Sequence, residues 1–280
     1  MSSRRSKNTS QRKRSSRSIG NMMTLNNKRI WALLEILIYT SLLVWVWIQL
    51  GDFAESTTTS GLDVFETSRG HNSVFTTVTA DNIRNILVVI YVLTVLKVLL
   101  KGFGGDNAMM KMMESGQNWV RWLDNLITLP SIVMLVALFC GVNTYYTLLA
   151  IVALSVIYTM VGTLMEYIGS TRQDNSRGLS MKSMALIPPL IQVIVLLTIW
   201  SVIFMAWNSL ATPPDYINYI FYVAAIAHVV SYAATFSWYY SYSKAPLVSW
   251  THEFVLWAWK IIIPVILVDG LKKNLTFPTA

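Results

Sequence analysis

Seven stretches of this chain are apolar for about the length that crosses a lipid bilayer, and this pattern constrains the fold more than any motif. They run over about 30–50, 83–101, 112–141, 146–168, 184–207, 216–243 and 248–271. A helix rises 1.5 Å per residue, so roughly 20 residues cover a hydrocarbon layer about 30 Å thick. Within that layer every backbone N–H and C=O must be satisfied internally, which makes helices the solution for runs of this length. Gly, Pro, Asn, Asp and Ser mark the breaks, at 102–106, 141–144, 170–180, 208–215 and 243–246. The third run begins in a mixed region, Met109 to Trp119. No repeat of 20–50 residues is visible. The expected fold is an all-α membrane protein, a bundle of seven transmembrane helices.

Composition agrees: 54% of residues are hydrophobic and 13% charged. The formal net charge of +8 is concentrated at one end, with nine Lys and Arg between Arg4 and Arg29 and no acid among them. A basic head on an apolar body is a topology signal or an anionic-lipid contact, and it argues against nucleic acid as a partner. Residues 1–24 read as a basic disordered tail, 25–273 as the transmembrane domain with a long loop at 51–82, and 274–280 as a short tail. Residues 1–29 lack the short apolar core of a signal peptide, so the first apolar run is expected to span. The single cysteine, Cys140, cannot form an internal disulfide.

Orientation follows from the distribution of Lys and Arg. A cytoplasmic amino terminus places the nine basic residues inside, with Lys97, Lys101, Lys111, Arg172, Arg177, Lys182 and Lys244. The other side receives Arg69, Arg84, Lys272 and Lys273, and the acid-bearing loop 51–82. Seven crossings then leave the carboxyl terminus outside. Within that loop, Ser56 to Ser60 and Ser73 to Thr79 have the alternation of a short hairpin, but an isolated hairpin is marginal in water and an irregular polar loop fits equally well.

An ionisable group at the bilayer centre costs about 2.5–3.5 kcal/mol on insertion scales, so each has a partner or a task. Lys260 lies mid-span in the seventh run, too deep to snorkel easily. A buried amine is readily kept neutral, and a neutral amine is the nucleophile that forms a Schiff base with an aldehyde. A lysine paired with a carboxylate to fix helix register is the alternative. Asp124 supplies that carboxylate. Arg121, Asp124 and Thr128 fall at i, i+3 and i+7 and share one helical face. Asp124 can thus be the counterion of a charged Schiff base, with Thr128 hydrogen-bonding it and Arg121 balancing it; a structural Arg–Asp pair is the plainer reading. Pro130 is expected to bend this helix.

Several segments together resemble the heliorhodopsins, a retinal-binding family of inverted topology. Gly116–Gln–Asn–Trp–Val–Arg–Trp–Leu–Asp124 resembles the family's loop and third helix, where an Arg–Trp pair precedes a carboxylate counterion. Gly162–Thr–Leu–Met–Glu166 resembles its fourth helix, and Pro188–Pro189 and Pro214–Asp–Tyr–Ile–Asn–Tyr–Ile–Phe221 resemble the openings of its fifth and sixth. The resemblance covers roughly 25–273 and implies that Lys260 carries all-trans retinal, that Asn125, Leu256 and Trp257 line its pocket, and that the protein is a homodimer. Trp257, three residues before Lys260, shares its helical face. Trp200, Phe221 and Tyr232 are further candidates for the slot, or simply packing residues.

The chain departs from the family at the counterion, which is usually Glu followed by Tyr–Ser but is here Asp124 followed by Asn125. The ordered acceptor and donor of a light-driven pump are missing, because Leu256 and Leu135 stand where pumps carry carboxylates. Where the family often has histidines near the inner ends of the first two helices, this chain has Glu35 and Lys97 at equal depth. They can form an ion pair that, with Glu166 and Glu253, lines a cytoplasmic proton path, or they can snorkel to the headgroups. His228 is a further candidate proton group, or a satisfied core histidine. The expected function is retinal-based light sensing rather than enzymatic catalysis, in the bilayer and with an unidentified cytoplasmic or membrane signalling partner. Light-gated passive proton or ion conductance is the first alternative, and a seven-helix transporter without chromophore the second.

Overall fold

The computed structural model describes residues 25–56, 62–68, 71–103, 119–174, 186–210, 212–240 and 245–274. Among them are seven long helices: α1 Leu25–Ser56, α2 Ala80–Phe103, α3 Trp119–Phe139, α4 Tyr145–Asp174, α5 Ile187–Ser209, α6 Asp215–Tyr240 and α7 Ala245–Asn274. The first six are long and apolar enough to cross a membrane by length and composition. The third helix begins at Trp119, later than the apolar run suggested; residues 112–118, like the tail 1–24, lie outside the described residues.

The bundle is apolar outside as well as in its core, and its polar side chains are turned inward. Leu37, Trp47, Leu197 and Met205 face outward while Thr94, Asp124, Thr159, Gln192 and Lys260 are buried. With hydrocarbon as the solvent an outward leucine costs nothing, whereas a polar group must turn inward to find partners. Neighbours in sequence pack together along α1 to α5, α6 packs on α7, and α7 returns to α1. α3 is the most enclosed of the spans, so a side chain carried on its inner face is surrounded by protein.

The loop after α1 does form a hairpin, β1 Leu62–Ser68 paired antiparallel with β2 His71–Val78, with an irregularity at Val64 and Phe65. The first strand lies later than 56–60, and residues 57–61 are outside those described. The hairpin holds because it is docked. Leu62 and Val64 are buried, the Phe65 N–H donates to the Asn143 carbonyl at 2.7 Å, and the Phe75 and Tyr145 rings lie 4.3 Å apart. It therefore rests on the turn between α3 and α4. That turn needs Gly141, whose φ is +92°: the Gly141 N–H donates to Leu138 O and the Val142 N–H to Ala137 O, closing the end of α3.

Candidate functional site

Three of the four described buried charges, Lys97, Asp124 and Lys260, meet between α2, α3 and α7. Lys260 Nζ donates to Asp124 Oδ2 at 2.5 Å, and both side chains are about 95% or more buried. The same nitrogen reaches Thr94 Oγ1 on α2 at 3.3 Å. Thr94 gives its own proton to the Ile90 carbonyl at 2.8 Å, which leaves its lone pairs for the lysine. Its 3.5 Å approach to Asp124 Oδ1 is therefore a contact rather than a second donated bond.

Lys260 is held through its backbone as well. Pro264 lies in the interior of α7 and has no N–H, so the carbonyl four residues earlier, that of Lys260, loses its helical partner. The hydroxyl of Tyr91 on α2 donates to that carbonyl at 3.2 Å. A free carbonyl at this depth needs a donor from a neighbouring helix, and Tyr91 provides it. Sequence alone shows Pro264 but not which helix supplies the donor.

Several expected roles change. Thr128 donates to the backbone carbonyl of Asp124 at 2.9 Å, not to its carboxylate, because a hydroxyl four residues on in a helix reaches the main chain first. Lys97 does not snorkel, and among the described residues its ion-pair partner is Asp124 rather than Glu35. Lys97 is buried and its Nζ lies 3.2 Å from Asp124 Oδ2. Equal depth on adjacent helices was the wrong guide: the turn of α2 that presents Thr94 to α3 also presents Lys97, three residues later, while Glu35 is only half-buried. The side chains of Arg121, Glu253 and Leu256 lie outside those described.

Asn125 is buried with its Oδ1 lacking a hydrogen-bond partner, and Trp257 packs half-buried against the core. The larger wall joins Trp200 and His228, which the sequence singled out, to Trp259 and Tyr158, which it did not. Trp259, next to Lys260, is buried and lies 5.4 Å from the His228 ring, which Tyr158 meets edge-on at 4.5 Å. Trp200 Nε1 donates to His228 Nδ1 at 3.1 Å, so His228 is neutral with its proton on Nε2, which has no partner. His228 thus stands in the wall on α6, between Trp200, Tyr158 and Trp259. Glu166 belongs to a second buried polar group, between α3, α4 and α5. It accepts from Trp122 Nε1, and Gly162 leaves the room that Trp122 and Gln192 fill, since a Cβ there would meet them at 2.8 and 3.0 Å. Among the described residues no cluster of His, Cys, Asp and Glu suits a metal.

No curated protein matches the chain. The sequence model of the heliorhodopsins, a family of retinal-binding, light-sensing membrane proteins, matches residues 28–245. The match takes in α1 to α6 and carries Asp124; Lys260 lies beyond it and is placed by the geometry alone. With more than three quarters of its length matched and its apolar spans in place, the chain belongs to the heliorhodopsin family.

Proposed function

We propose that this protein senses light through all-trans retinal carried by Lys260, with Asp124 as the counterion. The observation that supports it most is the 2.5 Å approach of Lys260 Nζ to Asp124 Oδ2 inside the bundle. The residues fit such a ligand. A buried amine lies next to a wall of Trp259 and His228, and two polar atoms facing the interior, Asn125 Oδ1 and His228 Nε2, lack protein partners. Retinal supplies an aldehyde carbon that the lysine nitrogen takes up with loss of water, and a polyene that light isomerises.

The chain's own groups do the rest. Asp124 holds a positive charge at the Lys260 nitrogen where water cannot, and an ion pair is worth far more there than at a surface. Asp124 Oδ2 is also the nearest acceptor for a proton leaving that nitrogen. Thr94 accepts from the same nitrogen and Tyr91 fixes the backbone beneath it, so the amine enters its site already oriented. Movement there is felt at once by α2, α3 and α7.

The proposed orientation has the amino terminus in the cytoplasm, where the nine basic residues of the tail favour it. The proposed output is signalling without transport, in a homodimer. Leu135, where a pump carries its proton donor, is buried among apolar neighbours. Passive proton conduction has one specific support, the buried Glu166 on Trp122. Voltage-clamp recording under illumination separates the two: silence agrees with signalling, and currents that reverse with the gradient would replace it. The attachment itself is tested by adding all-trans retinal to the purified apoprotein. A visible absorption band is expected from the native chain and none from Lys260→Ala; a native chain that stays colourless points to a transporter without chromophore.

A further inference from the structure

We infer that Lys97 is a second cation of the counterion complex and sets the colour of the pigment, an inference that rests on the attachment of retinal to Lys260. The argument begins with how one carboxylate is shared. Lys260 Nζ and Lys97 Nζ both approach Oδ2 of Asp124, at 2.5 and 3.2 Å, from α7 and α2. Lys97 is about nine-tenths buried and Asp124 almost wholly so. The described buried charged residues are Lys97, Asp124, Glu166 and Lys260. Glu166 accepts from Trp122 on the α4 side of α3, and at Asp124 the two amines share one carboxylate oxygen.

A lysine buried at this depth has a partner or a task, and Lys97 lies on the same carboxylate oxygen as Lys260. Its use follows from Coulomb's law at low dielectric. Excitation of a retinal linkage carries positive charge from the nitrogen toward the ring. A carboxylate at the nitrogen opposes that movement and raises the transition energy. A cation beside the carboxylate weakens its hold and also repels charge from the nitrogen end, which lowers the transition energy. Lys97 does both, because it sits on the oxygen that Lys260 uses. It is a positioning and tuning residue: it acts on the bound group through Asp124.

Three variants test this in the full chain. With all-trans retinal, Lys97→Met is expected to shift the visible band to shorter wavelength, opposite in sign to Asp124→Asn, while Lys97→Arg keeps the band near that of the native pigment. An unshifted or red-shifted band in Lys97→Met overturns the inference and leaves attachment at Lys260 untouched; loss of attachment is read separately from Lys260→Ala. Should Lys97→Met bind no retinal, thermal melts of the retinal-free protein decide. Asp124→Asn takes the shared carboxylate away from two buried amines and should lower the melting temperature, and adding Lys97→Met should recover part of the loss. Additive losses in the double variant would contradict a shared carboxylate.

Discussion

At the scale of single residues, the account turns on what each polar atom touches. Asp124 is the only described carboxylate at the Lys260 nitrogen, so Asp124→Asn should move the visible band strongly to longer wavelength. A band that stays in place would mean that another group is the counterion. Thr128 gives the opposite expectation. Its hydroxyl is bonded to the main chain at 2.9 Å, so Thr128→Val should leave the absorption maximum unchanged and alter stability by about 0.5–1.5 kcal/mol, the range of an ordinary intramolecular hydrogen bond. A shift approaching that of Asp124→Asn would show that the hydroxyl reaches the carboxylate after all. The identities of Lys260 and Asp124 were legible in the sequence because ionisable residues are conspicuous in apolar runs. Lys97 was conspicuous too, but its partner was not: which of two helices a long side chain reaches depends on the rotation of α2, and spacing along one chain does not record it.

At the scale of elements, two helices are shaped around the site by residues that remove or avoid something. Pro264 removes an N–H from α7 and exposes the Lys260 carbonyl, which Tyr91 of α2 then satisfies at 3.2 Å. Tyr91→Phe should cost about 1–3 kcal/mol, the penalty of an unpaired buried carbonyl. Pro264→Ala restores the helical donor, so in its background Tyr91→Phe should cost much less. Thermal melts of the four proteins check this, and equal losses in both backgrounds would contradict it. Gly141 avoids a Cβ. At φ +92° any other residue is strained by about 1–2 kcal/mol, and its Cβ would also meet Leu210 at 3.0 Å. Gly141→Ala is therefore expected to lower the melting temperature and loosen the hairpin that rests on this turn, seen as faster amide exchange at Phe65. The apolar runs gave the helices and left the hairpin undecided, because its stability comes from Leu62, Val64 and Phe65 docking on a turn some eighty residues away.

At the scale of the whole molecule, an apolar exterior and a few polar groups enclosed in an apolar core put the charged groups where a membrane protein can use them. Gly102 and Gly270 let helices approach closely, since a Cβ at Gly102 would collide with Ala32 of α1 and one at Gly270 with the Tyr216 ring of α6. Such contacts hold α2 against α1 and α7 against α6. The seven-helix bundle was legible from hydropathy because bilayer thickness imposes length directly. The wall was legible only in part: Trp200 and His228 stood out but Trp259 and Tyr158 did not, because aromatic residues at helical spacing look the same whether they face lipid or the interior. The central claim is that one amine, that of Lys260, holds the chromophore. The most direct measurement is to reconstitute the full chain with all-trans retinal, reduce the linkage with borohydride and locate the added retinyl mass by peptide mapping. The account predicts it on the peptide containing Lys260; finding it on Lys97, or on no lysine, would contradict the account.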